Sequence, residues 1–96
     1  MEYKNKTYKL IVRTGRDLVF NTYCDDNELI VNLNDRKQLD SYSQKGNSII
    51  IKLLSGYKSD DGNLLSTIEL RFVSEIKKVI FDYQEKEQLV FKVEND

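Results

Sequence analysis

The chain has 96 residues, 40% hydrophobic and 32% charged, with 15 basic and 16 acidic side chains and a formal net charge of −1. That length suits a single domain spanning 1–96, and that apolar content is too high for a disordered tail. A charge balance so close to zero excludes a strongly basic nucleic-acid sleeve and an acidic duplex mimic alike.

No His, Trp, Pro or Ala occurs, and Cys24 is the only cysteine. Without His there is no Ser–His–Asp or Cys–His centre, and the commonest zinc ligand is missing. One cysteine excludes an intramolecular disulfide and any multi-cysteine metal site. The N-terminus, Met1 to Lys6, lacks an apolar signal core, and the longest apolar runs, such as Ile49-Ile50-Ile51, fall far short of a membrane span of about 20 residues. The expectation is a soluble cytoplasmic protein that makes no membrane contact. Eight Asn, eight Ile and eleven Lys beside no Ala match AT-rich coding, as in Gram-positive bacteria and their phages.

In chain order, Tyr8, Leu10 and Val12 alternate with polar or outward positions and predict a strand over 8–13. Thr14-Gly15-Arg16 has hairpin length, and 17–23 resumes a strand with Leu18 and Phe20 opposing the first. Asp25-Asp26-Asn27 is turn chemistry, because short polar side chains compete for backbone hydrogen bonds. Glu28 to Leu33 follows as a strand with Leu29, Val31 and Leu33 inward. Residues 34–47 are polar except for Leu39 and Tyr42, and read either as one short helical turn or as a loop anchored by those two side chains.

Ser48 to Leu54 is β-branched and nearly continuous, which reads as a strand buried on both faces. Asp61-Gly62 marks a reversal, after which Leu64 to Val73 alternates, with Ile68, Leu70 and Phe72 on one side. Residues 74–88 carry two readings. Val73, Ile76, Ile80 and Tyr83 have helical spacing, whereas the β-branched and aromatic content of 76–83 disfavours a helix and supports a strand, a loop at 84–87 and a final strand over 89–93. The fold class is therefore mostly β: a small antiparallel β-barrel or sandwich of six to seven strands with room for one short helix. The alternative is an α+β fold with a helix at 74–87.

Four groups of residues are candidate sites. Cys24 neighbours Asp25 and Asp26, which raise a thiol's pKa and make it a structural residue. Asp25–Glu28 and Asp60–Asn63 are oxygen-rich, yet neither has the alternating pattern of a calcium loop, so no metal is assigned. Lys4, Lys6, Tyr8, Lys9, Arg13 and Arg16 interleave cations with rings, the chemistry of a nucleic-acid face. Residues 1–20 hold five basic and two acidic side chains, against two basic and five acidic over 82–96. Tyr42 and Tyr57, with Arg36 and Lys58 nearby, lie in polar connections and have the composition of protein-interface anchors.

No phosphate loop and no cofactor motif occurs, and a chain this short leaves little wall for a substrate cleft. The expected function is non-catalytic: binding another protein as an accessory or inhibitory module, in one setting a phage or mobile-element protein that blocks a host factor. The alternative is a β-barrel that binds nucleic acid or a nucleotide through its basic N-terminal strand. Exposed strand edges leave room for a homo-oligomer.

Overall fold

The computed structural model describes residues 7–35, 37–58 and 64–94. Among the described residues nine strands form two antiparallel sheets. They are β1 (Thr7–Tyr8), β2 (Leu10–Thr14), β3 (Val19–Asp25), β4 (Glu28–Leu33), β5 (Leu39–Lys45), β6 (Ser48–Lys58), β7 (Leu64–Phe72), β8 (Lys78–Glu85) and β9 (Gln88–Glu94). The five-stranded sheet runs β1-β3-β4-β9-β8, and the four-stranded sheet runs β2-β7-β6-β5. The strands do not close into one barrel. One apolar core lies between the sheets, built from Leu29, Val31, Leu33, Leu89 and Phe91 on one side and Ile49, Ile51, Ile68, Leu70 and Phe72 on the other.

The mostly β expectation stands, and 76–93 forms two strands rather than a helix, because β-branched and aromatic side chains there pack on a pleated surface. Three expectations are corrected. First, 8–13 and 17–23 are not a hairpin: β2 pairs with β7 in one sheet, whereas β3 pairs with β4 in the other. The connection is a single 3-10 turn, Arg16–Leu18, which carries the chain across the core and inserts Leu18 into it. Gly15 opens that turn at φ 84°, and a Cβ there would sit 2.6 Å from the Thr67 carbonyl oxygen. Only glycine fits both the left-handed backbone and the close approach to β7.

Second, the described residues of 34–47 form no helical turn; Leu39–Lys45 is β5, paired with β6. A polar strand reads as a loop when only one position in two or three is apolar. Third, β6 is buried on one face only, since Ile49, Ile51 and Leu53 point inward while Lys52 and Leu54 are exposed. The strand count rises above seven because β5 forms and because the first segment divides at Lys9. Tyr8 pairs with Cys24 in the five-stranded sheet, and Leu10 pairs with Phe72 in the four-stranded one.

Two-residue turns close three of the hairpins. Asp26 and Asn27 adopt φ 50° and 66° between β3 and β4, the mirror-image turn that matches strand twist. Gly46-Asn47 joins β5 to β6, and Lys86-Glu87 joins β8 to β9. The expected reversal at Asp61-Gly62 lies outside the described residues.

Candidate functional site

Alternation in a strand sends every second side chain away from the core. On β4 the inward set is Leu29, Val31 and Leu33, so Ile30 points outward; on β9 the inward set is Leu89, Phe91 and Val93, so Val90 points outward. Both are nevertheless buried, Ile30 at 9% exposure and Val90 at 0%, and neither belongs to the core between the sheets. The pairing explains this. Tyr23 of β3 lies opposite Ile30, Ile30 opposite Val90, and Val90 opposite Tyr83 of β8. The four side chains form one continuous row across the outward face of the five-stranded sheet, about 14 Å long at ordinary strand spacing. Tyr23 and Tyr83 end the row at 45% exposure each.

Bulges make this row possible. The β3–β4 register shifts between Phe20 and Tyr23, with Asn21 at φ 43°, and the Asn32 side-chain amide donates to the Asn21 carbonyl at 2.8 Å. The β8–β9 register shifts between Phe81 and Tyr83. Each extra residue turns a tyrosine onto the outward face beside an aliphatic partner. Phe20, 54% exposed, stands one row further along, opposite Asn32.

Charge differs between the rows and between the two sheets. Beyond the apolar row, Asp26, Glu28, Asp82 and Glu94 line a depression of about 480 Å³ with Lys92 as the one cation in its wall. The four-stranded sheet has the opposite sign outward: Arg13 and Arg71 line a smaller depression with Glu69, and Lys45 and Lys52 occupy outward positions of β5 and β6. Of these cations only Arg13 lies in residues 1–20, and of these carboxylates only Asp82 and Glu94 lie in 82–96, so the contrast between faces is not the contrast between the chain's ends.

The candidate residues chosen from sequence fall in several places. Tyr42 is not an exposed loop aromatic. It is half-buried on β5, with its ring against Phe91 at 5.3 Å and Phe81 at 6.4 Å, and its hydroxyl accepts the Phe81 N–H at 3.0 Å. Tyr57 and Lys58 belong to β6, opposite Leu65 and Leu64, so they do not lie in a loop. Arg36, Lys4 and Lys6 lie outside the described residues, as do Asp60 to Asn63. Tyr8 is buried, edge-on to Phe72 at 5.9 Å, and donates its hydroxyl to Asn27 Oδ1 at 3.4 Å. Its ring is therefore withdrawn from base stacking. Lys9, Arg13 and Arg16 are exposed, and Arg16 Nε donates to the Val12 carbonyl at 3.1 Å.

Cys24 is fully buried, and its thiol is pushed up to about 12, chiefly by burial and then by the Asp25 charge. A protonated, enclosed sulfur is neither a nucleophile nor a metal ligand at neutral pH. Among the described residues no three carboxylates or thiols come together to hold a metal ion, and no helix is long and apolar enough to cross a membrane. Comparison with protein families, curated proteins and solved structures finds no match to this chain.

Sequence reasoning did not single out Tyr23, Ile30, Tyr83 and Val90. A signal existed: Leu29-Ile30-Val31 and Leu89-Val90-Phe91 are unbroken apolar triplets in strands whose outward positions are otherwise polar. The middle residue of such a triplet must face away from the core.

Proposed function

We propose that this chain is a non-catalytic β-sandwich domain that acts by binding another protein, as an accessory or inhibitory module in the cytoplasm. The Tyr23–Ile30–Val90–Tyr83 row carries this reading. Tyr23 and Tyr83, each 45% exposed, flank the buried Ile30 and Val90 and present two rings on an otherwise solvated sheet, which supports an interaction surface. Tyrosine is a favoured anchor because it combines rigid area with a hydroxyl that keeps a hydrogen bond after water leaves. The row replaces the Tyr42 and Tyr57 positions as the preferred contact, since Tyr42 is engaged in holding the fold together. The setting we favour remains a phage or mobile-element protein directed at a host factor, on the AT-rich composition alone.

The test is an affinity capture from bacterial lysate after nuclease treatment, comparing the native chain with a Tyr23→Ser/Tyr83→Ser variant. A stoichiometric protein held by the native chain and lost at least tenfold by the variant, at an unchanged melting temperature, is the expected result. Equal capture by both removes this face from the function.

A second reading rests on the cationic outward face of the four-stranded sheet, where Arg13 and Arg71 adjoin. There the chain would bind nucleic acid or a nucleotide by phosphate pairing, without the ring stacking expected of Tyr8. Affinity would then fall steeply with salt, because counterion release drives such binding. Absence of binding at about 50 mM salt discards it.

A further inference from the structure

We infer, resting on the protein-binding reading, that the outward face of the five-stranded sheet selects a partner segment that presents apolar side chains beside arginine or lysine. The apolar row supplies the anchor. Its neighbouring row, about 7 Å along the strands, supplies the sign of the partner. Asp26, Glu28, Asp82 and Glu94 line the depression together with Ile80 and Lys92, and Lys78 stands opposite Glu94, so the carboxylates outnumber the cations two to one. Among the described residues no ion pair engages those four carboxylates. A segment lying across β4, β9 and β8 thus meets the exposed Tyr23 and Tyr83 rings first, then Glu28 beside Lys92 one row later, with Asp26, Asp82 and Glu94 around it.

Arginine fits this order better than lysine. Its planar guanidinium stacks on a tyrosine face and pairs with a carboxylate through two parallel hydrogen bonds. A second copy of this chain, whose four-stranded sheet presents Ile11, Ile50 and Leu54 among Arg13, Arg71, Lys45 and Lys52 on its outward face, is the alternative occupant that the crosslinking experiment tells apart. A phosphate backbone is repelled by the same carboxylates.

The experiment titrates the full chain with two synthetic peptides of equal length and apolar content, one alternating Arg with Leu and Phe, the other carrying Glu in place of Arg. Amide chemical shifts report the site. The Arg peptide is expected to bind at least tenfold tighter than the Glu peptide and to move the Tyr23, Ile30, Tyr83 and Val90 signals. Its affinity is expected to fall at least tenfold in Asp82→Lys/Glu94→Lys and, independently, in Tyr83→Ser, with melting temperature confirming both variants are folded. Equal affinity for the two peptides, shifts confined to another face, or full affinity in the charge-reversed variant overturns the inference. A photo-crosslinker replacing Tyr83 in the cell distinguishes failure of the cationic-partner inference from failure of the protein-binding reading. A crosslinked partner whose contacting segment is acidic, or a crosslink to a second copy, overturns the cationic-partner inference and leaves protein binding standing. No protein crosslinked from position 83, with none captured by the native chain, overturns the protein-binding reading itself.

Discussion

Cys24 shows how a single residue's chemistry follows from its position. It sits at the inward side of β3 beside the short β1, where burial removes the water that would solvate a thiolate. Asp25 adds a repelling charge, and the thiol holds its proton up to about pH 12. The folded state therefore keeps a proton that the unfolded chain releases near pH 9. This contribution to stability is complete below pH 9 and is lost as pH climbs toward 12, at up to about 1.4 kcal/mol per pH unit. Denaturant unfolding of the native chain and of Cys24→Ala between pH 8 and 11 tests it. The native chain is expected to lose stability more steeply than the variant above pH 9; parallel curves would show that the buried thiol does not titrate in this range.

At the scale of elements, the informative feature is how the two sheets meet along β5 and β8. These are edge strands of different sheets, and an edge strand's unpaired amides invite association. Side chains satisfy them here. Tyr42 Oη accepts from Phe81 N–H at 3.0 Å, and Gln44 Oε1 accepts from Val79 N–H at 2.8 Å. In the other direction, Gln84 Oε1 accepts from Leu39 N–H at 3.3 Å, while Gln84 Nε2 donates to the Lys37 carbonyl at 2.7 Å. Three polar side chains thus replace a backbone ladder between strands that are not paired. Tyr42→Phe keeps the ring and removes one acceptor, which costs about 1–2 kcal/mol because the Phe81 amide is left unpaired. Hydrogen exchange is the direct reading: the Phe81 amide is expected to exchange faster in this variant while Leu89 and Phe91 are unaffected. Unchanged Phe81 protection would mean that the hydroxyl does not guard that edge. On the opposite side, β1 covers only Cys24 and Asp25 of β3, the bulge at Asn21 interrupts the uncovered part of β3, and the Arg16 guanidinium engages the Val12 carbonyl of edge strand β2.

For the whole molecule, pairing between distant segments dominates. Leu10 pairs with Phe72, and Glu28 with Lys92, so neither sheet is complete until the last third of the chain is present. Such non-local topology predicts folding on a scale of about milliseconds to seconds. The chain contains no proline, so no prolyl isomerisation, which takes tens of seconds or longer, delays it. Stopped-flow refolding is expected to show one phase that prolyl isomerase does not accelerate; a phase of minutes would point to assembly or misregistered pairing. The same topology separates the charges. Arg13, Lys45, Lys52 and Arg71 outnumber Glu69 on one face, and Asp26, Glu28, Asp82 and Glu94 outnumber Lys78 and Lys92 on the other, although the net charge is only −1.

Local pattern alone determined much of this molecule. Period-two alternation placed Leu29, Val31, Leu33, Ile68, Leu70 and Phe72 on inward faces, β-branched content made 76–93 strands, and acidic neighbours marked Cys24 as an unreactive thiol. These properties depend on residues close in the chain. Which strands pair depends on closure of the core from both sides, and no local signal encodes it. The supposed first hairpin therefore separated into two sheets across Gly15, the polar segment 39–45 became a strand because its alternate side chains satisfy β8, and Tyr42 became a brace instead of a contact. The apolar row was half visible in its two triplets. Only register, with a bulge in β3 and another in β8, could bring four residues from four strands into one line and make them a surface.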